Sequence, residues 1–223
     1  MPIKLTLGII ARNEEENIAS TLESILKQDF KQPYEIIVVD GNSTDRTREI
    51  AENVLKNSQI KHKILNESDC GFHGLCFARN LVIDNSDENA KYIVFTDADC
   101  IVNENWLSQL YSAIKGAGAD IAGAGGPRLI ADTFNKMELV INAFLTSILA
   151  SGGNPAFSKR NVEFIKSIAN YNAIYRKDVI SKFRYDDSLI ISDDNELNFR
   201  LRKAGYKFLY VPDAKVWHRE TGS

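Results

Sequence analysis

This chain is short of the residues that staple, charge or anchor a protein, and each shortage removes a class. Three cysteines in 223 residues are an odd number and too few for a disulfide framework, so a reducing, cytoplasmic setting is expected. The net charge is −3, without the basic field that a nucleic acid requires, and nucleic acid is set aside as a partner. The opening stretch MPIKLTLGII lacks the charged region and cleavage site of a signal peptide. The most apolar run, LVINAFLTSILA at 139–150, is interrupted by Asn142, Thr146 and Ser147 and is too short to span a bilayer. Contact with a membrane would therefore be peripheral.

What is present is 44% apolar and 26% charged residues, the balance of a soluble globular protein. In the first hundred residues, β-rich runs alternate with helical patterns. LTLGII (5–10), EIIVVD (35–40), KHKILN (61–66) and YIVFTD (92–97) read as strands, and all but the third are nearly continuous apolar runs, as in a parallel sheet covered on both faces. Between the first three lie two amphipathic helices, one carrying Ile18, Leu22, Ile25 and Leu26 and the other Ile50, Val54 and Leu55. The order βαβαβ predicts a doubly wound α/β layer. Farther on, DIAGAGGPRL (120–129) reads as a strand with a sharp bend. A helix is expected over 137–149, then a polar loop at 151–161, helices near 177–182 and 194–204, and apolar runs KFLYVP and KVWH. No repeat or linker divides the chain, so residues 1–223 read as one domain.

In open α/β sheets, ligands lie beyond the carboxyl ends of the strands. Three polar clusters fall there: ARNEEEN, DGNSTD and DADC. Asp97 and Asp99 are two apart, so an extended backbone would send both carboxylates to one side, where a hard cation such as Mg²⁺ or Mn²⁺ relieves their repulsion. The alternative is a helix cap and a solvated acid. Asp40 ends the second strand; it either accepts a hydrogen bond from a nucleobase or ribose, or belongs to a turn in which Ser43 or Thr44 caps the next helix. Asp193 with Glu196 has capping-box spacing, which leaves Asp194 free to take a proton from an attacking hydroxyl. His218 ends an apolar run and, taken alone, reads as a hydrogen-bonded structural residue rather than a ligand. Cys70, His73 and Cys76 lack a fourth zinc ligand, and Cys76 reads as core. The turn after the first strand has neither G-x-G-x-x-G nor a glycine-rich loop followed by a cation, which speaks against a dehydrogenase and a nucleotidyltransferase.

Taken together, IIARNEEENI, EIIVVDGNSTDRT, FARN, FTDADC, NYNAIYRK and DDNELNFRLRKAGYKFLYVP, in that order along nearly the whole chain, resemble the family 2 glycosyltransferases of GT-A fold. The wording DGNSTD is similar to the subgroup that builds surface polysaccharides and lipid-linked sugars. The resemblance implies a single Rossmann-like, doubly wound mixed sheet with helices on both faces, in which residues 1–100 bind the nucleotide-sugar and 101–223 the acceptor. It implies that Ala11, Arg12 and Glu14 line the nucleoside pocket, Asp40 meets the base, Arg79 lies near the base or diphosphate, and Asp97 faces the ribose and metal. Asp99 would ligate Mn²⁺ or Mg²⁺, His218 would add a metal ligand or phosphate contact, and Asp194 would be the general base of an inverting transfer. The implied donor is a UDP-sugar, with GDP-mannose as the alternative. The implied acceptor is a saccharide or polyprenol-linked sugar; the apolar face of the helix at 137–149 reads as core packing, with a peripheral membrane contact as the alternative. A catalytically silent sugar-nucleotide-binding scaffold is the rival reading. The chain departs from the family pattern at Leu81, where glycine is usual after ARN, and in the residues preceding Asn13.

Overall fold

The computed structural model describes residues 2–70, 74–129, 161–189 and 193–219. The helix expected over 137–149 lies outside them, as do all but the last residue of the polar loop and His73 of the cysteine–histidine cluster. Four parallel strands, β1 (Leu5–Ala11), β2 (Tyr34–Asp40), β3 (Lys61–Asn66) and β4 (Tyr92–Asp97), appear where the apolar runs place them. Helices α1 (Ile18–Leu26) and α2 (Thr47–Lys56) make the first two crossovers, and α3 (Leu75–Asn85) makes the third. Three further short strands and a helix come next: β5 (Cys100–Val102), α4 (Trp106–Lys115), β6 (Ile121–Gly125) and β7 (Arg128–Leu129). The chain then forms β8 (Glu163–Ile165), β9 (Ala173–Arg176), α5 (Lys177–Phe183), α6 (Asp193–Lys203), β10 (Lys207–Tyr210) and β11 (Val216–His218). Helices α3 and α4 and strands β5, β8 and β9 are additions to the sequence reading.

Among the described residues, the main sheet has eight strands in the order β3-β2-β1-β4-β9-β6-β10-β8, and a second sheet of three runs β5-β11-β7. Strand β9 is antiparallel to both of its neighbours, β4 and β6. The lower apolar content of β3 follows from its place at the edge, where its residues are only partly buried. Each central strand alternates its side chains between two cores. Leu5, Leu7 and Ile9 of β1 pack with α1, α2 and α4, whereas Ile37 and Val39 of β2 and Ile93 and Phe95 of β4 pack with α3, α5 and α6. A buried Leu, Ile or Val stabilises the fold by about 1.5–3 kcal/mol, so both cores must be dry for the sheet to hold its register. Cys76 is in the second core, buried and unpaired, as its reading as a packing residue requires.

The expected bend at 120–129 is the break between β6 and β7, and glycine is required there. A Cβ on Gly126 would lie 2.0 Å from the Ala214 carbonyl oxygen, so only glycine lets the chain pass under the segment leading to β11. Helix α6 stops at Gly205, whose φ of 92° is in the left-handed region while Tyr206 N–H reaches back to Leu201 O at 3.0 Å.

Candidate active site

Two loops following β1 and β2 are laced into one rim. Asn13 N–H donates to Ser43 Oγ at 2.9 Å, Thr44 N–H to Asn13 Oδ1 at 2.9 Å, and Glu14 N–H to Thr47 Oγ1 at 2.6 Å. Asn13 and Asn42 both have φ near +55 to +60°, which asparagine tolerates better than other side chains. The cap expected of Ser43 or Thr44 is supplied by Asp45, whose Oδ1 accepts from Thr47 N–H at 3.0 Å. Ser43 is instead committed to Asn13. Asp40 is buried at 3% exposure; its Oδ1 accepts from Ser43 N–H at 3.2 Å and its Oδ2 faces Asn66 Nδ2 at 3.5 Å.

Asp97 and Asp99 are not neighbours on one extended strand. Strand β4 ends at Asp97 and the chain turns through Ala98 and Asp99 before β5 begins, so a turn rather than the pleat brings the carboxylates together. Strand β11 completes the group, because His218 is in register with Cys100 across the small sheet. His218 Nε2 lies 3.5 Å from Asp99 Oδ1 and 3.9 Å from Asp97 Oδ2. On its other side the ring meets Arg128 Nη2 at 3.4 Å from Nδ1, and the Tyr171 ring stands edge-on at 5.6 Å. Asp99, Cys100 and His218 each offer a ligand atom within 4.8 Å of the others. The Cys100 thiol is held well above its usual range by burial and by Asp97 and Asp99, so the oxygen and imidazole donors are the ones ready for a hard cation.

A cavity of about 250 Å³ opens on this group, lined by Ile10, Arg12, Glu14, Arg79, Asp97 and Asp99 among others. Five residues singled out by motif thus meet in one space. Ala11 is buried under its rim, and Asp40 lies beneath the adjacent loop. Loss of water raises the Glu14 carboxyl above its ordinary value, against the hydrogen bond from Asn17, and Asp99 raises it further. Desolvation also raises Asp97; Arg79 and His218 oppose the shift and Asp99 adds to it.

Arg79 is 4% exposed and forms the floor of the cavity. Its Nη1 donates to Asp193 Oδ2 and its Nη2 faces Asp97 Oδ1 at 3.5 Å. The capping box expected at the start of α6 is therefore absent. Asp193 turns inward to Arg79 and Asn170, and Glu196 pairs with Arg200 at 2.5 Å. Asp194 is left facing a second cavity of about 200 Å³ with Gly125, Gly126, Ala169, Tyr171, Asn195 and Tyr210 in its wall. Burial raises its carboxyl above the ordinary range and the neighbouring Asp193 adds to this, while the Asn195 N–H, at 2.7 Å, and Arg79 restrain it. A carboxylate so placed is a stronger base than an exposed one. The sequence reading missed Asn170, Tyr171 and Arg128. The first two lie in NYN, a stretch whose match to the family carried no role.

A twisted sheet with acidic loops at the carboxyl ends of its parallel strands and one antiparallel strand at its centre is the GT-A glycosyltransferase fold. The chain belongs to glycosyl transferase family 2, whose model matches residues 6–184. Glycosyltransferase AglE of Haloferax volcanii is 28% identical over 217 residues, 92% of this chain and 64% of that protein. A Methanococcus voltae dolichyl N-acetyl-alpha-D-glucosaminyl phosphate 3-beta-D-2,3-diacetamido-2,3-dideoxy-beta-D-glucuronosyltransferase is 27% identical over 208 residues, 90% of this chain and 62% of that one. The chain thus spans less than two thirds of either relative. In solved structures, Staphylococcus aureus TarS 1-349 with UDP-GlcNAc superposes with a TM-score of 0.72 at 18% identity, covering 99% of this chain and 60% of that one. The Pyrobaculum calidifontis mannosyltransferase PcManGT with GDP-Man and Mn²⁺ gives 0.68 at 18% identity, covering 98% and 57%. Among the described residues, no helix is long and apolar enough to cross a membrane.

Proposed function

We propose that the chain is a metal-dependent, inverting glycosyltransferase region that moves a sugar from a nucleotide-sugar, a UDP-sugar first, to a hydroxyl of a saccharide or polyprenol-linked acceptor. The observation that carries this reading is the presence of two cavities, one walled by Arg12, Glu14, Arg79, Asp97 and Asp99 and the other by Asp194, linked through the Arg79–Asp193 ion pair. In the first, Arg12 lines the space for the nucleoside with Ala11 and Asp40 buried behind it, and Arg79 presents a cation for the diphosphate. The donor set fits a hard divalent ion, since Asp99 and His218 offer oxygen and imidazole nitrogen 3.5 Å apart, with Asp97 beside them. A Mn²⁺ or Mg²⁺ held there would supply Lewis-acid stabilisation of the charge that grows on the departing diphosphate.

Asp194 takes the proton of an acceptor hydroxyl as that oxygen attacks the anomeric carbon. A new carbon–oxygen bond forms while the bond to the diphosphate breaks on the opposite face, and the electron pair leaves with the phosphate. One displacement inverts the configuration, so an α-linked donor yields a β-linked product. The acceptor reading draws on the Methanococcus relative, whose name carries a dolichyl phosphate-linked sugar.

The test is a thermal-shift panel of UDP, GDP, CDP, ADP and dTDP, with and without Mn²⁺, on wild type and Asp99→Asn. A ligand at about 100 times its dissociation constant adds roughly 2.7 kcal/mol. UDP is expected to stabilise the wild type only with metal, and Asp99→Asn is expected to lose the effect. A shift with GDP alone would move the donor to the GDP-mannose type, for which the PcManGT structure is the precedent. Nucleotide binding without turnover would favour the silent scaffold.

A further inference from the structure

Asn170 has no place in the reaction as just drawn, yet it bonds to Asp193, the neighbour of Asp194 in the acidic pair. It belongs to a 3-10 turn, Asn170–Asn172, immediately before β9. It is 3% exposed, and its Nδ2 donates to Asp193 Oδ2 at 2.8 Å. Its Oδ1 accepts from Tyr185 Oη at 2.8 Å and from Tyr175 Oη at 3.1 Å. Its own N–H is near enough to the Asp194 carboxyl to favour the charged form. The direction of the amide follows from chemistry. Asp193, ionised against Arg79, can only accept, so Nδ2 must face it, and both lone pairs of Oδ1 are left to the two tyrosine hydroxyls. The Arg79 guanidinium also stands over the Tyr185 ring at 5.8 Å, closing the ring of contacts.

We propose that Asn170 is the positioning residue of the acidic pair: its side chain fixes Asp193 and, through it, the first turn of α6 that carries Asp194, while Tyr175 and Tyr185 set its orientation. This rests on the reading of Asp194 as the base. The network also joins the two cavities, because Arg79 binds Asp193 with one nitrogen and faces Asp97 with another. A general base displaced by about 1 Å loses rate by roughly 10²-fold, whereas the donor cavity, walled by other residues, keeps its nucleotide.

The variants to make are Asn170→Asp, which turns an acceptor-only group toward Asp193, and the gentler Tyr185→Phe, which removes one of two donors to Oδ1. UDP affinity with Mn²⁺ is read by calorimetry, and UDP release from UDP-N-acetylglucosamine with water as acceptor gives kcat and KM. Expected is a fall in kcat of roughly 10²-fold for Asn170→Asp and of several-fold for Tyr185→Phe, with UDP affinity and donor KM near wild type. A folded Asn170→Asp with wild-type kcat overturns the proposal, as does a parallel loss of UDP affinity, which would mark a role in the whole site. A crystal structure of Asn170→Ala supplies a readout free of turnover: an Asp194 carboxyl within about 0.5 Å of its wild-type place also overturns it. A wild type that binds UDP yet releases none counts against the reaction, and that structure then decides the positioning by itself.

Discussion

The Asp194 carboxyl is held in protein, against another acid, and both circumstances push its proton affinity up. Two consequences have opposite signs. Because the proposed base must be ionised, the acid limb of kcat/KM should lie above the ordinary value of an aspartate, and Asp194→Asn should lose about 10²-fold or more in kcat with nucleotide binding intact. A pH–rate profile on the best nucleotide-sugar checks the first, and an acid limb below pH 4 would count against it. A raised carboxyl is also a cost to the fold at neutral pH, since the charged form is the one burial disfavours. Asp194→Asn should therefore melt no lower than wild type by calorimetry. Asp194 was singled out in sequence as a candidate. Its surroundings were not legible, because Asp193 had the spacing of a cap, and only the inward position of Arg79 explains why it became an ion-pair partner instead.

At the scale of elements, the site depends on how closely α3 lies on β1. A Cβ on Gly8 would stand 2.6 Å from Val82 Cγ1 and 2.9 Å from Val82 Cγ2, so the helix carrying Arg79 rests directly on the strand. Gly8→Ala should destabilise the protein by about 1–3 kcal/mol, measured by denaturant unfolding, and Val82→Ala added to it should restore part of the loss. Full additivity of the two would show that the contact is not what matters. Strand β9 matters for another reason. Running against β4 and β6, it begins where they end, with Ala173 opposite both Phe95 and Gly125. Its leading turn thereby reaches the same edge as the acidic loops. Three of the four parallel strands could be read from nearly continuous apolar runs and β3 from its β-rich stretch, whereas a four-residue antiparallel strand has too few residues to show a period, and β9 went unread.

Across the whole molecule, stability in acid should depend partly on a clamp far from the chemistry. Lys61 Nζ, on edge strand β3, reaches Asp87 Oδ2 at 2.7 Å and Glu35 Oε2 at 3.3 Å. The hydrogen bond from Lys61 lowers the Asp87 carboxyl to about 2. A depressed folded-state value contributes stability that is present above about pH 4 and is lost as pH falls through 2. Melting temperatures taken from pH 5 to 2 should fall less steeply for Asp87→Asn than for wild type, and equal slopes would remove the clamp from the account. By itself, the sequence determined the alternating strands and helices, the strand ends from which the polar loops leave, and the acidic residues there. These follow from local periodicity and from strand ends, which a linear pattern records. Only the tertiary structure decided that Asp97 and Asp99 converge through a turn, that His218 joins them from 119 residues beyond Asp99 through the register of β11 with β5, and that Asn170 bonds to Asp193. Those contacts are made between segments distant in the chain, and the two cores that cover the sheet, not any local preference, bring them together.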